Sequence, residues 1–197
     1  MNVECHTSKP QGKIPGSRFP LLVHRNVIPN GGADALKKRF QDNGWSNNWD
    51  YPGVYEYAHF HSTTHECLGC AQGWMEFILS VGRSGWTNVR ISVGDVIVMP
   101  AGVSHQMIAQ SDDIHMCGGY PEGRDWDDIQ EAFLSDEDYK RACKRIMMLP
   151  IPSADPATGK PMQEWHSAPS SVDAGWNEWR TSLDAISKEP GVRIKRN

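Results

Sequence analysis

Between residues 53 and 120 the chain is a succession of short hydrophobic runs, none longer than a strand. Val54–His61, Cys67–Ala71, Trp74–Val81, Asn88–Ser92, Val96–Met99, His105–Ala109 and Ile114–Cys117 either alternate apolar with polar positions or are rich in β-branched residues. Those are the marks of half-buried or fully buried strands. Glycines and small polar residues break the runs at short intervals, which predicts a sandwich or barrel rather than β-α-β units.

The flanks carry a different pattern. Residues 1–52 combine a polar leader, an apolar run at Phe19–Val23, and a predicted helix from about Ala33 to Gln41 that stops at Asn43-Gly44. A tryptophan-bearing loop, Gly44–Tyr51, follows. The expected organisation is an N-terminal extension (1–52) packing on a barrel core (53–120), then a helical and proline-rich C-terminal extension (121–197). In the last part Asp125–Met148 predicts a helix, with Trp126, Ile129 and Phe133 at helical spacing and an acidic first turn. Pro150, Pro152, Pro156, Pro161 and Pro169 then predict an irregular crossing segment. Ser171–Lys188 places Val172, Trp176, Trp179, Leu183 and Ile186 on one face of a further helix. That face is expected to pack on the barrel exterior or a partner subunit rather than to close the mouth.

Composition narrows the function classes. In 197 residues, 20 Lys+Arg stand against 24 Asp+Glu, a net charge of −4, and 39% of positions are hydrophobic. The mild negative charge gives no footprint for nucleic acid or anionic membrane. Strand-sized apolar runs cannot span a bilayer. The polar opening has no apolar signal segment, and five cysteines read as free thiols of a reducing compartment, so a cytoplasmic location is expected. Cys67-Leu-Gly-Cys70 has the form of a redox dithiol but lies within a strand-like run. Packing is therefore its expected role.

The chemistry concentrates in Gly53-Val-Tyr-Glu-Tyr-Ala-His59-Phe-His61-Ser-Thr-Thr-His65-Glu66. Alternation in an extended strand puts His59 and His61 on one face, with Tyr55 and Tyr57 behind them, and Glu66 opens the next run. A second segment, Gly94-Asp95 through Pro100-Ala-Gly102 to His105, brackets a strand with turn residues and sets His105 at the head of the next. His59, His61, Glu66 and His105 are thus candidate metal ligands. Three imidazoles and a carboxylate suit Fe, Mn, Co, Ni, Cu or Zn in the divalent state. His65, next to Glu66, is expected to turn away and hydrogen-bond. Asp95 is expected in a turn, and His6, His24 and His166 at the surface.

The same residues carry a resemblance. Gly53, His59, His61, Glu66 and Gly73 match the first cupin motif, G-x5-H-x-H-x4-E-x6-G, in register. Gly94, Pro100, Gly102 and His105 match the second, which departs only at Ala109, where the motif has Asn. Asn43-Gly44-Trp45, Gly119-Tyr120-Pro121 and Ile151-Pro152-Ser-Ala-Asp155-Pro156 extend the resemblance to the YjlB-like single-domain cupins, over roughly residues 20–165. That resemblance implies an all-β double-stranded β-helix, a jelly-roll barrel, with one divalent metal in its mouth.

The expected activity is that of a metal-dependent oxygenase acting on a small molecule, with Glu66, Tyr55 and Tyr57 as candidate proton carriers. A metal-dependent isomerase, cyclase or lyase using the ion as a Lewis acid is the alternative. A non-enzymatic metal- or ligand-binding cupin is the third. Inward candidates Tyr55, Tyr57, Leu68, Phe77, Met99 and Met107 bring no Arg or Lys, which favours a neutral aromatic or polyketide-like substrate. A homodimer is expected, with no nucleic-acid or membrane partner.

Overall fold

The runs of the middle third pair as their alternation requires. The computed structural model describes residues 3–82 and 85–168. Within them lie β1 (Val3–His6), β2 (Leu21–His24), α1 (Ala33–Asp42), β3 (Trp45–Tyr51), β4 (Glu66–Gln72), β5 (Trp74–Leu79), β6 (Thr87–Ser92), β7 (Val96–Met99), β8 (His105–Gln110), β9 (His115–Pro121), α2 (Asp136–Met148) and α3 (Gln163–His166). One sheet has the order β1-β2-β7-β4-β9-β3 and the other β6-β5-β8, with every pairing antiparallel.

The sheets close on a common core. Leu21, Val23, Leu68, Ile97 and Met116 from the larger meet Met75, Phe77, Leu79, Ile91 and Met107 from the smaller. This is the expected jelly-roll barrel. On the larger sheet the alternate residues Leu22, Cys67, Val96 and Val98 point outward. Leu36 and Phe40 of α1 and Met162 and Trp165 of the C-terminal segment cover them. Burial on both faces explains why β2 and β7 read as unbroken apolar runs. Gly69 admits α1: a Cβ there would meet Leu36 Cδ2 at 2.9 Å. Cys67 and Cys70 are three residues apart and so face opposite sides of β4, which excludes a dithiol between them. None of the five cysteines is joined in a disulfide.

Several expectations change. The segment 1–52, expected to pack on the barrel as an extension, supplies β1, β2 and β3 to the larger sheet itself. The loop expected at 44–51 is strand β3, whose register shifts between Ser46 and Trp49; that bulge breaks the alternation by which a strand is recognised. Residues 54–61 form only isolated bridges, His59 with His105 and Phe60 with Ile129. The helix expected from Asp125 starts at Asp136, where the Ser135 side chain accepts from the Asp138 amide as N-cap. Before it, the Asp127 carboxylate takes the backbone amides of Ser62 and Thr63 instead of a helical turn. The helix expected at Ser171–Lys188 lies outside the described residues. Among the described residues no helix is long and apolar enough to cross a membrane.

Candidate metal centre

The centre is assembled where 54–61 runs beside β8. His59 N–H donates to His105 O at 3.1 Å and His105 N–H to His59 O at 2.9 Å, a hydrogen-bonded antiparallel pair that sets the two rings 4.1 Å apart. His61, two residues on, turns to the same side, its ring 5.3 Å from that of His59. Ring nitrogens of His59, His61 and His105 lie within 4.8 Å of one another, and all three residues are buried. From the head of β4, Glu66 extends Oε2 to 3.3 Å from His61 Nε2 and 3.5 Å from His105 Nε2.

Hydrogen bonds fix the tautomers. Nδ1 of His59 donates to Tyr57 O at 3.1 Å, that of His61 to Asp127 O at 2.5 Å, and that of His105 to Val103 O at 3.4 Å. Each neutral ring therefore carries its lone pair on Nε2. In the neutral rings, lone pairs of His61 and His105 then face a carboxylate oxygen, an arrangement that a bound cation, or a proton on His61, would satisfy. Burial, followed by the neighbouring imidazoles, holds the His105 pKa well below its ordinary value, and burial followed by His61 lowers that of His59. For His61 burial pushes the pKa down, but Glu66 and Asp127 outweigh it and the net shift is upward. The donor set fits a divalent transition ion, with the carboxylate closing on two of the three imidazoles.

The far oxygen of Glu66 is held as well. Tyr120 O–H donates to Oε1 at 2.9 Å, and Trp49 Nε1–H donates to the Tyr120 oxygen at 3.1 Å. Trp49 lies over Gly118, where a Cβ would come within 2.2 Å of its ring. Trp126 stacks on Tyr120, centroids 4.8 Å apart at 10°. These rings, with Tyr55 and Leu68, wall a cavity of about 460 Å³ that opens onto the histidines. Phe77, Met99 and Met107, expected to face it, belong instead to the core between the sheets.

The two tyrosines expected side by side part ways. Tyr55 lines the cavity with its ring edge-on to His59 at 5.3 Å. Tyr57 stacks on Tyr55 at 4.9 Å outside the lining, and its hydroxyl donates to Asp128 Oδ2 at 2.6 Å. That bond, with burial, pushes its pKa up to about 12. His65 turns away from the centre as expected, Nδ1 accepting from Ala101 N–H at 2.9 Å and Nε2–H donating to Pro150 O at 3.3 Å. Asp95 holds its turn through the amides of Asn26 and Ser92. His24, expected at the surface, is buried, with Nε2 2.8 Å from Asp155 Oδ2; β2 is covered on its outer side, which its own four residues do not reveal. Trp49, Tyr120, Trp126 and Asp127 were absent from the expected site. Only Tyr120 left a signal, inside Gly119-Tyr120-Pro121.

Two facing antiparallel sheets with clustered histidines in the cavity between them define a cupin barrel. The chain is 34% identical over 151 residues to the uncharacterised protein YjlB of Bacillus subtilis (strain 168), covering 76% of this chain and 86% of that one. It belongs to the YjlB-like single-domain cupins. No family model matches it. Among solved structures it is similar to acireductone dioxygenase from Bacillus anthracis with a cadmium ion in its active centre (20% identity, TM-score 0.33), over 57% of this chain and 55% of that one. It is also similar to RmlC from Streptococcus suis in complex with dTDP-D-xylose (14% identity, TM-score 0.32), over 69% and 90%. The chain thus spans about half the length of the dioxygenase, and neither likeness bears on activity.

Proposed function

We propose that the chain is a metal-dependent enzyme in which His59, His61, Glu66 and His105 hold one divalent transition ion. On this reading it acts as a non-heme dioxygenase or related oxidoreductase on a small, uncharged aromatic or polyketide-like molecule. The observation that carries the reading is the convergence of three carbonyl-oriented imidazoles and a tyrosine-held carboxylate on an aromatic-walled cavity.

An ion bound there would supply Lewis acidity and, if redox-active, a route for electrons to oxygen. The rest is the work of the chain. Trp49, Tyr55, Tyr120 and Trp126 offer flat apolar faces that bind and orient a ring and keep water from the inner end. Glu66 shares the Tyr120 proton at Oε1, and Tyr55 is the hydroxyl assigned to a proton on the substrate. No Lys or Arg is among the described lining residues. The one acidic side chain of the outer wall, Asp50, is spent on Lys37 and His115. Among the described residues, a carboxylate or phosphate substrate therefore finds no Lys or Arg in the cavity wall.

Elemental analysis of purified protein, with oxygen uptake on neutral catechols and flavonols, tests the reading. About one transition ion per chain, absent from His105→Ala, with substrate-dependent oxygen uptake, is expected. Turnover without oxygen uptake would replace the oxygenase by the Lewis-acid reading. Failure to retain any transition ion after reconstitution would overturn the enzyme proposal.

A further inference from the structure

Two of the three imidazoles are oriented by their own stretch of chain and one is not. His59 and His105 donate to carbonyls two residues behind them. His61 donates to the carbonyl of Asp127, 66 residues further on. The place of that carbonyl depends on what fastens residue 127, and its own carboxylate does so. Oδ1 accepts from Ser62 N–H at 2.6 Å, Thr63 N–H at 3.1 Å and Thr63 Oγ1–H at 3.1 Å. Oδ2 accepts from Ser62 Oγ–H at 2.5 Å and from Arg145 of α2 at 3.2 Å. Arg145 Nε also donates to Ser62 Oγ at 2.8 Å, tying the helix to both partners.

We infer that Asp127 is a positioning residue of the metal centre: its carboxylate clamps the 125–129 segment to Ser62–Thr63 and so sets the ring of His61. The segment acts on a second ligand too, since Trp126 stacks on the tyrosine that holds Glu66. The exchange of hydrogen bonds between Phe60 and Ile129, at 2.9 and 3.1 Å, closes the far end of the strap. An orienting partner that fixes tautomer and direction contributes about 10- to 100-fold in metal affinity. This inference rests on the metal reading above.

Cobalt(II) binding to the full chain tests it, with affinity from chelator competition and ligand geometry from the visible absorption bands. Asp127→Ala keeps all four ligands yet is expected to bind about 10- to 100-fold more weakly with shifted bands. Asp127→Asn, which retains an oxygen for the two amides, is expected to recover most of the affinity. Asp136→Ala, which loses exposed charge interactions with Lys13 and Lys140 and touches neither the strap nor a ligand, should match wild type. Wild-type affinity and bands in Asp127→Ala would overturn the inference. Wild-type protein that binds no cobalt would instead bring down the metal reading beneath it. If circular dichroism shows Asp127→Ala unfolded, Ser62→Ala decides: weaker binding with shifted bands supports the clamp, and unchanged binding refutes it.

Discussion

Five buried histidines share this barrel among its described residues, and they fall into two groups at the same depth. His24 and His65 stitch the C-terminal segment to the barrel: His24 pairs with Asp155, and His65 bonds Ala101 on one side and Pro150 on the other. His59, His61 and His105 each spend one nitrogen on a backbone carbonyl and aim the other at a shared point. Burial does not separate the groups, nor does residue type. The second nitrogen does. Where Nε2 meets Asp155 or the Pro150 carbonyl the ring is a fastener; where it meets the Glu66 carboxylate and other imidazoles, the arrangement suits a cation.

The sharpest break of that contrast is His105→Ala. Metal content measured by emission spectroscopy should fall to background, beyond the 10- to 100-fold that a supporting residue costs, while circular dichroism stays that of a folded barrel. His65→Ala should do the reverse. It strands the Ala101 amide and Pro150 carbonyl and removes the ring packed edge-on to Trp165 at 4.7 Å. A loss of about 2–4 kcal/mol in urea unfolding, with metal stoichiometry intact, is expected.

Asp155 sharpens the fastener side through pH. Burial alone would raise its pKa, but His24 and the amides of Ala157 and Thr158 outweigh burial and hold it below the ordinary 3.8. The folded value lies under the unfolded one, so this stabilisation is complete above pH 3.8 and drains as pH falls through the lowered pKa. Asp155→Asn should cost about 1.5–3 kcal/mol at pH 7, and its deficit against wild type should shrink in acid denaturant series. The smallest effect belongs to Tyr120→Phe. Losing the hydroxyl on Glu66 should weaken metal binding about 10-fold, near 1.4 kcal/mol, by competition titration, whereas Tyr57→Phe should leave it unchanged.

Much of the barrel was legible because burial writes a period into strands. β5 and β6 alternate, and β7 is continuously apolar between turn residues. The four candidate ligands could be picked out because His59 and His61 keep their i,i+2 spacing even where 54–61 makes only isolated bridges, and Glu66 and His105 each open a strand. What stayed hidden depends on distant partners. The polar Ser46-Asn47-Asn48 stretch gives no sign that β3 will pair with β9. The helical spacing of Trp126, Ile129 and Phe133 is overridden by tertiary contacts that take Trp126 to Tyr120 and Ile129 to Phe60, while Phe133 is left 81% exposed. Tyr57 shares alternation with Tyr55 and is drawn off by Asp128, 71 residues away.

The separation of His61 from its orienting carbonyl has a consequence in time. A chain made from its amino end exposes His59, His61, Glu66 and His105 before residue 120 or 127 exists. At that stage His61 has no carbonyl to fix its tautomer, and Glu66 has no phenol to hold it. All four donors are then present without the geometry that makes them a site. The geometry proposed to grip an ion is complete only when β9 has paired with β4 and the strap has closed. On the proposed metal reading, discrimination among ions would thereby fall to the finished barrel rather than to the nascent chain.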